Sequence, residues 1–439
     1  MFSRRSFLVS TVAFAAAGTC TAWAGTQSAA DRVPLDRNVR ASRIAWLDAH
    51  TCDLSSIDLE DDDFGDLSAF EEAVGDARIV MLGEQTHGDG TSLLAKGRLT
   101  RFLHEEMDFD VLAFESGLYD MRKVWDRMRA GESARKAVRR GLPPNWSRSE
   151  EMKSLIEYVG ERAQRRRPLE LAGFDCRFSA SASRDRMVDD LVAFLAERDI
   201  DTDSVPDWDR FRRTLEKIAD GSINWRPSEQ EERLVTSTIE SLTERLPGPE
   251  EEEAAFWRQL LNSTKALAQL RARSEPQSPS PADLNLLDAT MADNLIWLAR
   301  EAYPERKIIV WGATSRNLRN SQLIDPSREV TTMGHLAWQA LGESIYSVGF
   351  LAYAGRRLVV DEPREIDPPP SDSLEGLWGA TEDENAFLDL RHMPEGGEWL
   401  QAPVPSRLVS GDDPVKADWT KVLDGVVFLR SMEPTTFDD

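Results

Sequence analysis

The sequence predicts an α/β fold: a mainly parallel central sheet flanked by helices, with a helical insertion before the fourth strand. Three observations predict it. Short, nearly continuous apolar runs recur at 77–82 (ARIVML), 110–114 (DVLAF), 169–174 and 307–311 (KIIVW), as expected of strands buried on both faces. Segments with helical spacing separate them. Between 183 and 303 the pattern is almost wholly helical.

The elements follow in order. Residues 1–24 read as a twin-arginine-type export signal. Arg4 and Arg5 precede Phe7 and Leu8 and a short Ala-rich run, and Ala22-Trp23-Ala24 has the small-x-small form of a cleavage site. The apolar run is too short to span a bilayer. The expected product is periplasmic or secreted, with no stable membrane insertion after cleavage. Cleavage removes Cys20, whose neighbour Thr19 makes a poor lipobox. It leaves Cys52 and Cys176, either as inert thiols or as one disulfide in an oxidising compartment. Residues 25–66 form a polar leader and linker. They include an amphipathic stretch at Ile44 to Leu47 and an acidic run, Leu59 to Asp66, expected as a solvated turn.

Residues 67–439 read as one α/β domain. The first strand is followed by a helix over 91–107, with Leu94, Leu99, Phe102 and Leu103 as its apolar stripe. After the second strand come helices over 118–129 and 149–165, the latter with Ser149 as its N-cap. The third strand leads into the helical segments 184–198, 229–246, 250–273 and 284–302. The stretch 274–283 (SEPQSPSPAD) reads as a flexible connector. After the fourth strand, 344–353, 356–360 and 425–430 complete the sheet, and the proline-rich stretch 361–373 is a loop.

Composition narrows the function. The 439 residues carry 77 acidic and 53 basic side chains, a formal charge of -24. Such a surface repels phosphate backbones, so nucleic acid is not an expected partner. No Walker motif, no GxGxxG after a strand, no GxSxG elbow and no HExxH is present. No cofactor is expected.

In a parallel sheet, ligands bind at the carboxyl ends of the strands. There Glu84 and His87 follow the first strand, Glu115 ends the second, Asp175 and Arg177 end the third, and 313–316 end the fourth. A histidine set between glycines and three residues after a carboxylate is a candidate general base, with Glu84 fixing its tautomer. Lys96 and Arg98 are candidate contacts for an oxyanion or a polar substrate group. The same Glu84 and His87, with Glu115 or Asp175, are an alternative ligand set for a divalent metal. The 13 Trp, Trp146 among them, serve either the core or an apolar cleft.

The run LGEQTHG, the downstream Lys96-x-Arg98 and the strand DVLAFES resemble the signature of the erythromycin esterase family. NWSRSEEMKSLIEY with Trp146 and Glu151, LAGFD ending at Asp175, DATMADNLIWL with Asp288, Met291 and Asn294, TMG before YSVGF, and DGVVFL agree in order, over roughly 78–434. The resemblance implies an α/β fold with a helical bundle, and hydrolysis of an ester or lactone by histidine-activated water. It implies His87 as base, Glu84 and Glu115 as its carboxylate partners, and Lys96 and Arg98 as basic contacts. One departure bears on the substrate. Where the family has WAHNxH, this chain has Trp311-Gly312-Ala313-Thr314-Ser315-Arg316-Asn317, so Ala313 and Arg316 replace two histidines. Macrolide hydrolysis, with its link to antibiotic resistance, therefore does not follow from the resemblance.

Three readings are compatible with these residues. The first is an exported ester or lactone hydrolase using His87, with a small-molecule substrate contacted by Lys96, Arg98, Arg316, Asp175, Trp146 and Glu151. The second is a periplasmic ligand-binding protein without turnover on the same fold. The third is a hydrolase dependent on a divalent metal held by Glu84 and His87.

Overall fold

The computed structural model describes residues 35–438, apart from 179, 223–224, 275–277, 325–328, 360–361, 410 and 412. The export-signal reading and part of the 274–283 connector lie outside the described residues. Helix α1 spans Arg37–His50 and leads to strand β1 (Cys52–Asp53) and α2 (Ser68–Val74). The alternation then runs β2 (Ile79–Glu84), α3 (Gly90–Glu106), β3 (Phe109–Gly117), α4 (Leu118–Arg129), α5 (Ala134–Val138), α6 (Pro144–Ser147), α7 (Lys153–Arg162) and β4 (Glu170–Asp175). Five helices follow: α8 (Ser181–Glu197), α9 (Trp208–Ala219), α10 (Glu229–Arg245), α11 (Glu252–Arg273) and α12 (Pro281–Trp297). The chain returns through β5 (Lys307–Ala313), α13 (Met333–Leu341), β6 (Ile345–Val359), β7 (Glu362–Glu365), α14 (Leu374–Trp378), β8 (Asn385–Asp389), β9 (Val404–Ser406), β10 (Val415–Ala417) and β11 (Gly425–Met432).

One sheet runs in the order β1-β8-β11-β6-β2-β5-β3-β4, with β7 beside β6. The pairs β11·β6, β6·β2, β2·β5, β5·β3 and β3·β4 are parallel, and β8 is antiparallel to β11. The expected fold class is therefore the observed one. The pleat explains the continuous apolar runs. Ile79, Met81, Val111, Ala113, Ile308 and Val310 pack toward the five-helix insertion. Val80, Leu82, Leu112, Phe114, Ile309 and Trp311 pack into the cluster on the other face, which holds Leu93, Leu99 and Phe102 of α3. Both faces are covered, so no polar alternation survives.

Some expectations need correction. The segments 344–353 and 356–360 are one 15-residue strand, β6. Gly355 lets it continue: its φ is +107°, and a Cβ there would lie 2.1 Å from the Met432 carbonyl. The expected loop 361–373 contains β7 at 362–365, an antiparallel partner of β6. Helix α7 starts at Lys153, and Ser149 is not its cap; that hydroxyl donates to Glu151 instead. Leu94 faces outward at 36% exposure, and Leu93 takes its place in the core. The acidic run is no solvated turn throughout. Asp66 and Asp62 pair with Arg98 and Arg101 on α3. Cys52 and Cys176 are both free, Cys176 buried. Among the described residues, no helix is long and apolar enough to cross a membrane.

Candidate active site

The alternation that sends Val80 and Leu82 toward α3 sends Glu84 there too. Glu84 is fully buried, and both its oxygens are taken. Oε1 accepts from His87 Nδ1 at 2.8 Å, and Oε2 pairs with Lys96 Nζ from the inner face of α3. A carboxylate only accepts, so Nδ1 carries the proton and Nε2 is left as the basic nitrogen. Lys96 is itself fully buried and stands 4.0 Å from the centroid of the Trp311 ring. Trp146 meets the imidazole edge to face, with centroids 5.0 Å apart.

The His87 loop is closed from within. Asp89 is buried and accepts from the Thr86 amide at 3.0 Å and the Thr86 hydroxyl at 2.7 Å. The end of β6 lies against it, with the Leu358 amide donating to the Gly88 carbonyl at 3.2 Å. The C-terminal segment closes the other side, where the Thr435 amide donates to the same carbonyl at 3.0 Å. The His87 side chain keeps 23% of its surface exposed.

Burial works against protonation of His87, but the hydrogen bond and charge of Glu84, with the charge of Glu115, outweigh it. The imidazole is held above its ordinary value. Lys96 goes the other way: burial lowers its ammonium despite Glu84. Burial also raises Asp89 against the pull of Arg357, which stands 3.8 Å away.

The other three strand ends form a second network. Glu115 lies over Gly312, where a Cβ would come within 3.0 Å of its Oε2. That oxygen accepts from the Ala313 amide at 3.0 Å. Its Oε1 sits 3.5 Å from Arg177 Nη2 and 3.8 Å from Arg316 Nε. Asp175 grips Arg177 through Nε at 2.8 Å and Nη2 at 2.6 Å, and also takes the Arg177 amide. Burial opposes the Arg177 charge, but Asp175 and Glu115 raise the guanidinium above its ordinary value. Arg316 pairs with Asp288 of α12, whose other oxygen accepts from the Met333 amide at 3.0 Å. Burial raises Asp288 against the pull of Arg316.

The structure brings Glu84, His87, Lys96, Trp146, Glu115, Asp175 and Arg316 to the carboxyl ends of β2, β3, β4 and β5. It does not bring Arg98 there. Lys96 and Arg98 are two residues apart on a helix, so they cannot share a face. Arg98 is spent on Asp66, at 2.9 and 2.7 Å, and on the Ser56 carbonyl at 2.8 Å. Glu151 is also committed elsewhere. It accepts from Ser149, Thr435 and Thr436, pinning the C-terminal segment. Glu115 makes no hydrogen bond to His87 and acts on it through charge. The motif reading passed over Asp89 and Arg357; Asp89 had a signal in being two residues beyond His87, whereas Arg357 had none.

As a metal site, this arrangement is poorly provided. Among the described residues, no three His, Cys, Asp or Glu side chains converge to hold an ion. Glu84 already spends both oxygens on His87 and Lys96.

Comparison with known proteins places the chain. The family model described as erythromycin esterase matches residues 104–432. That match starts within α3, so GEQTHG lies outside it. A Bacillus subtilis (strain 168) protein, provisionally named hydrolase YbfO, is 27% identical over 421 residues, covering 89% of this chain and 91% of its own. Erythromycin esterase type II of Escherichia coli is 22% identical, covering 83% of this chain and 92% of its own. Among solved structures, a succinoglycan biosynthesis protein superposes with a TM-score of 0.75 at 17% identity, over 92% of this chain and 100% of that one. The open conformation of a histidine-to-asparagine variant of erythromycin esterase EreC gives 0.65 at 16%, over 89% and 99%. At these identities the structures attest the fold.

Proposed function

The chain belongs to the erythromycin esterase family of hydrolases, and from that premise we propose that it hydrolyses an ester or lactone with water activated by His87. The observation that carries the reading is the 2.8 Å contact between His87 Nδ1 and Glu84. It leaves Nε2 as the base and supports the imidazolium that forms when Nε2 takes a proton. Lys96 pairs with Glu84, so the buried carboxylate is not left without a cation. The Trp146 edge limits the tilt of the ring. No nucleophile elbow is present in the sequence, which supports direct attack by water.

The substrate is proposed only as a class. The name of the Escherichia coli relative refers to erythromycin, but Arg316 stands here at an expected histidine position and is held by Asp288. A guanidinium does not act as a base at neutral pH. One histidine therefore carries the proton in this proposal. The reading of residues 1–24 supports action outside the cytoplasm.

The test is a panel of acyl esters, lactones and macrolides, assayed with wild type and His87→Ala. Loss of about two to four decades in rate is expected for the variant. Equal rates would remove His87 from the chemistry, and no turnover with tight ligand binding would favour a binding protein.

A further inference from the structure

We propose that Arg177 is the electrophilic residue of this site: its guanidinium meets the substrate carbonyl oxygen and holds the oxyanion, and the substrate is neutral at that point. The inference rests on the hydrolase reading above and adds a residue and a substrate class to it.

Exposure separates Arg177 from the other cations named around the strand ends. Lys96 is fully buried, Arg316 is 8% exposed and Arg357 3%, whereas Arg177 is 37% exposed. Asp175 holds its Nε and Nη2, which fixes the planar fork without using the remaining nitrogen. Among the described residues, Nη1 has no hydrogen-bond partner. A donor held in place at an open rim needs no reorganisation when charge develops, the condition under which oxyanion stabilisation is largest. Glu115 links it to the base, standing 3.5 Å from Nη2 while its charge also acts on His87.

Charge balance gives the substrate class. Asp175 and Glu115 face Arg177, Asp288 neutralises Arg316, and Glu84 neutralises Lys96. Each of these three cations thus faces at least one carboxylate, leaving none of them as surplus charge for an anion in the ground state, and the whole chain carries -24. A neutral ester or lactone suits this site, with negative charge appearing only on the way to the tetrahedral intermediate. In that step His87 Nε2 takes a proton from water as the water oxygen bonds to the carbonyl carbon. The carbonyl electron pair moves onto its oxygen, beside Arg177. Collapse breaks the bond to the leaving oxygen, which takes the proton back from His87.

The experiment uses a neutral ester from the panel that wild type hydrolyses and His87→Ala does not. Arg177→Gln should lower kcat by about 100- to 1000-fold, with KM within about threefold. Arg177→Lys should recover part of the loss. A phosphonate monoester, whose anionic oxygen mimics the intermediate, should bind Arg177→Gln more weakly by a similar factor, with the acidic limb of the pH profile unchanged. Wild-type kcat in Arg177→Gln overturns the proposal while His87 stands. So does a loss of kcat with unchanged phosphonate affinity and a displaced acidic limb, which marks a structural role. Faster hydrolysis of carboxylate-bearing esters than of their neutral counterparts overturns the substrate class. If no ester separates wild type from His87→Ala, the hydrolase reading falls and this inference with it.

Discussion

The ends of β2 and β3 begin from one sequence pattern, a glutamate at the close of a buried strand, and finish in different states. Glu84 finds both partners nearby in the chain, a part-buried His87 and a fully buried Lys96. Glu115 finds the Ala313 amide 198 residues away, together with Arg177 and Arg316, and its network opens to solvent at Arg177. The first end is a locked pair behind a histidine. The second is a relay of alternating charges, Asp288, Arg316, Glu115, Arg177 and Asp175. The same residue in the same local setting thus serves two ends, because what crosses above each strand differs.

The comparison can be broken by deleting one charge at a time. Lys96→Met should cost the most, about 3–5 kcal/mol, because it leaves a buried carboxylate without its cation. Chemical denaturation measures it, and adding Glu84→Gln should restore part of the loss. A cost as small as that of a surface pair would show that the β2 end is not locked. Arg316→Met should cost less, about 1–3 kcal/mol. Burial already raises Asp288, so the orphaned carboxyl can take a proton, and it keeps the Met333 amide. Equal costs at the two ends would erase the distinction drawn between them.

Arg98→Met tests the face of α3 rather than the site. Stability should fall by about 1–2 kcal/mol as the Asp66 pair is lost, while kcat on the panel ester stays at the wild-type value. A kcat loss like that of His87→Ala would return Arg98 to the chemistry. The smallest effect is a displacement along the pH axis. With its folded value raised above 6.5, His87 becomes a base only above its ordinary range, so the acidic limb of kcat should lie above that range. The linkage runs oppositely for stability. The stabilisation by protonated His87 is full below 6.5 and is lost as pH rises through the raised value. Activity should therefore rise over the interval in which this stabilisation fades, and His87→Gln should flatten that part of the stability profile. An acidic limb below 6.5 would mean that Glu84 does not support the imidazolium.

Much of the fold was legible in the sequence. The four apolar runs became β2 to β5, and the long helical stretch became α8 to α12. The errors fell where a local pattern was overruled by distant packing. The gap left between 344–353 and 356–360 holds Gly355, the point where β6 passes Met432. The acidic run looked solvated because the partners of Asp66 and Asp62, Arg98 and Arg101, lie on a helix 32 and 39 residues on. Strand β8 has only five residues and borders a sheet already complete in its parallel part.

For the site, the chain by itself determined the unit Glu84, His87 and Lys96. The spacing of three residues, then nine, puts a strand end, a loop and one helix face together whatever the rest of the protein does. Arg98, carried beside Lys96 as a site contact on the motif, points away, since two residues along a helix reverse the face. Only the tertiary structure decided the place of Glu115, Arg177, Asp175, Arg316 and Asp288. Their meeting depends on β5 entering between β2 and β3, on β4 adding outside β3, and on α12 passing over the strand ends. Those positions follow from burying both faces of the sheet, a property of the assembled core that no local spacing encodes.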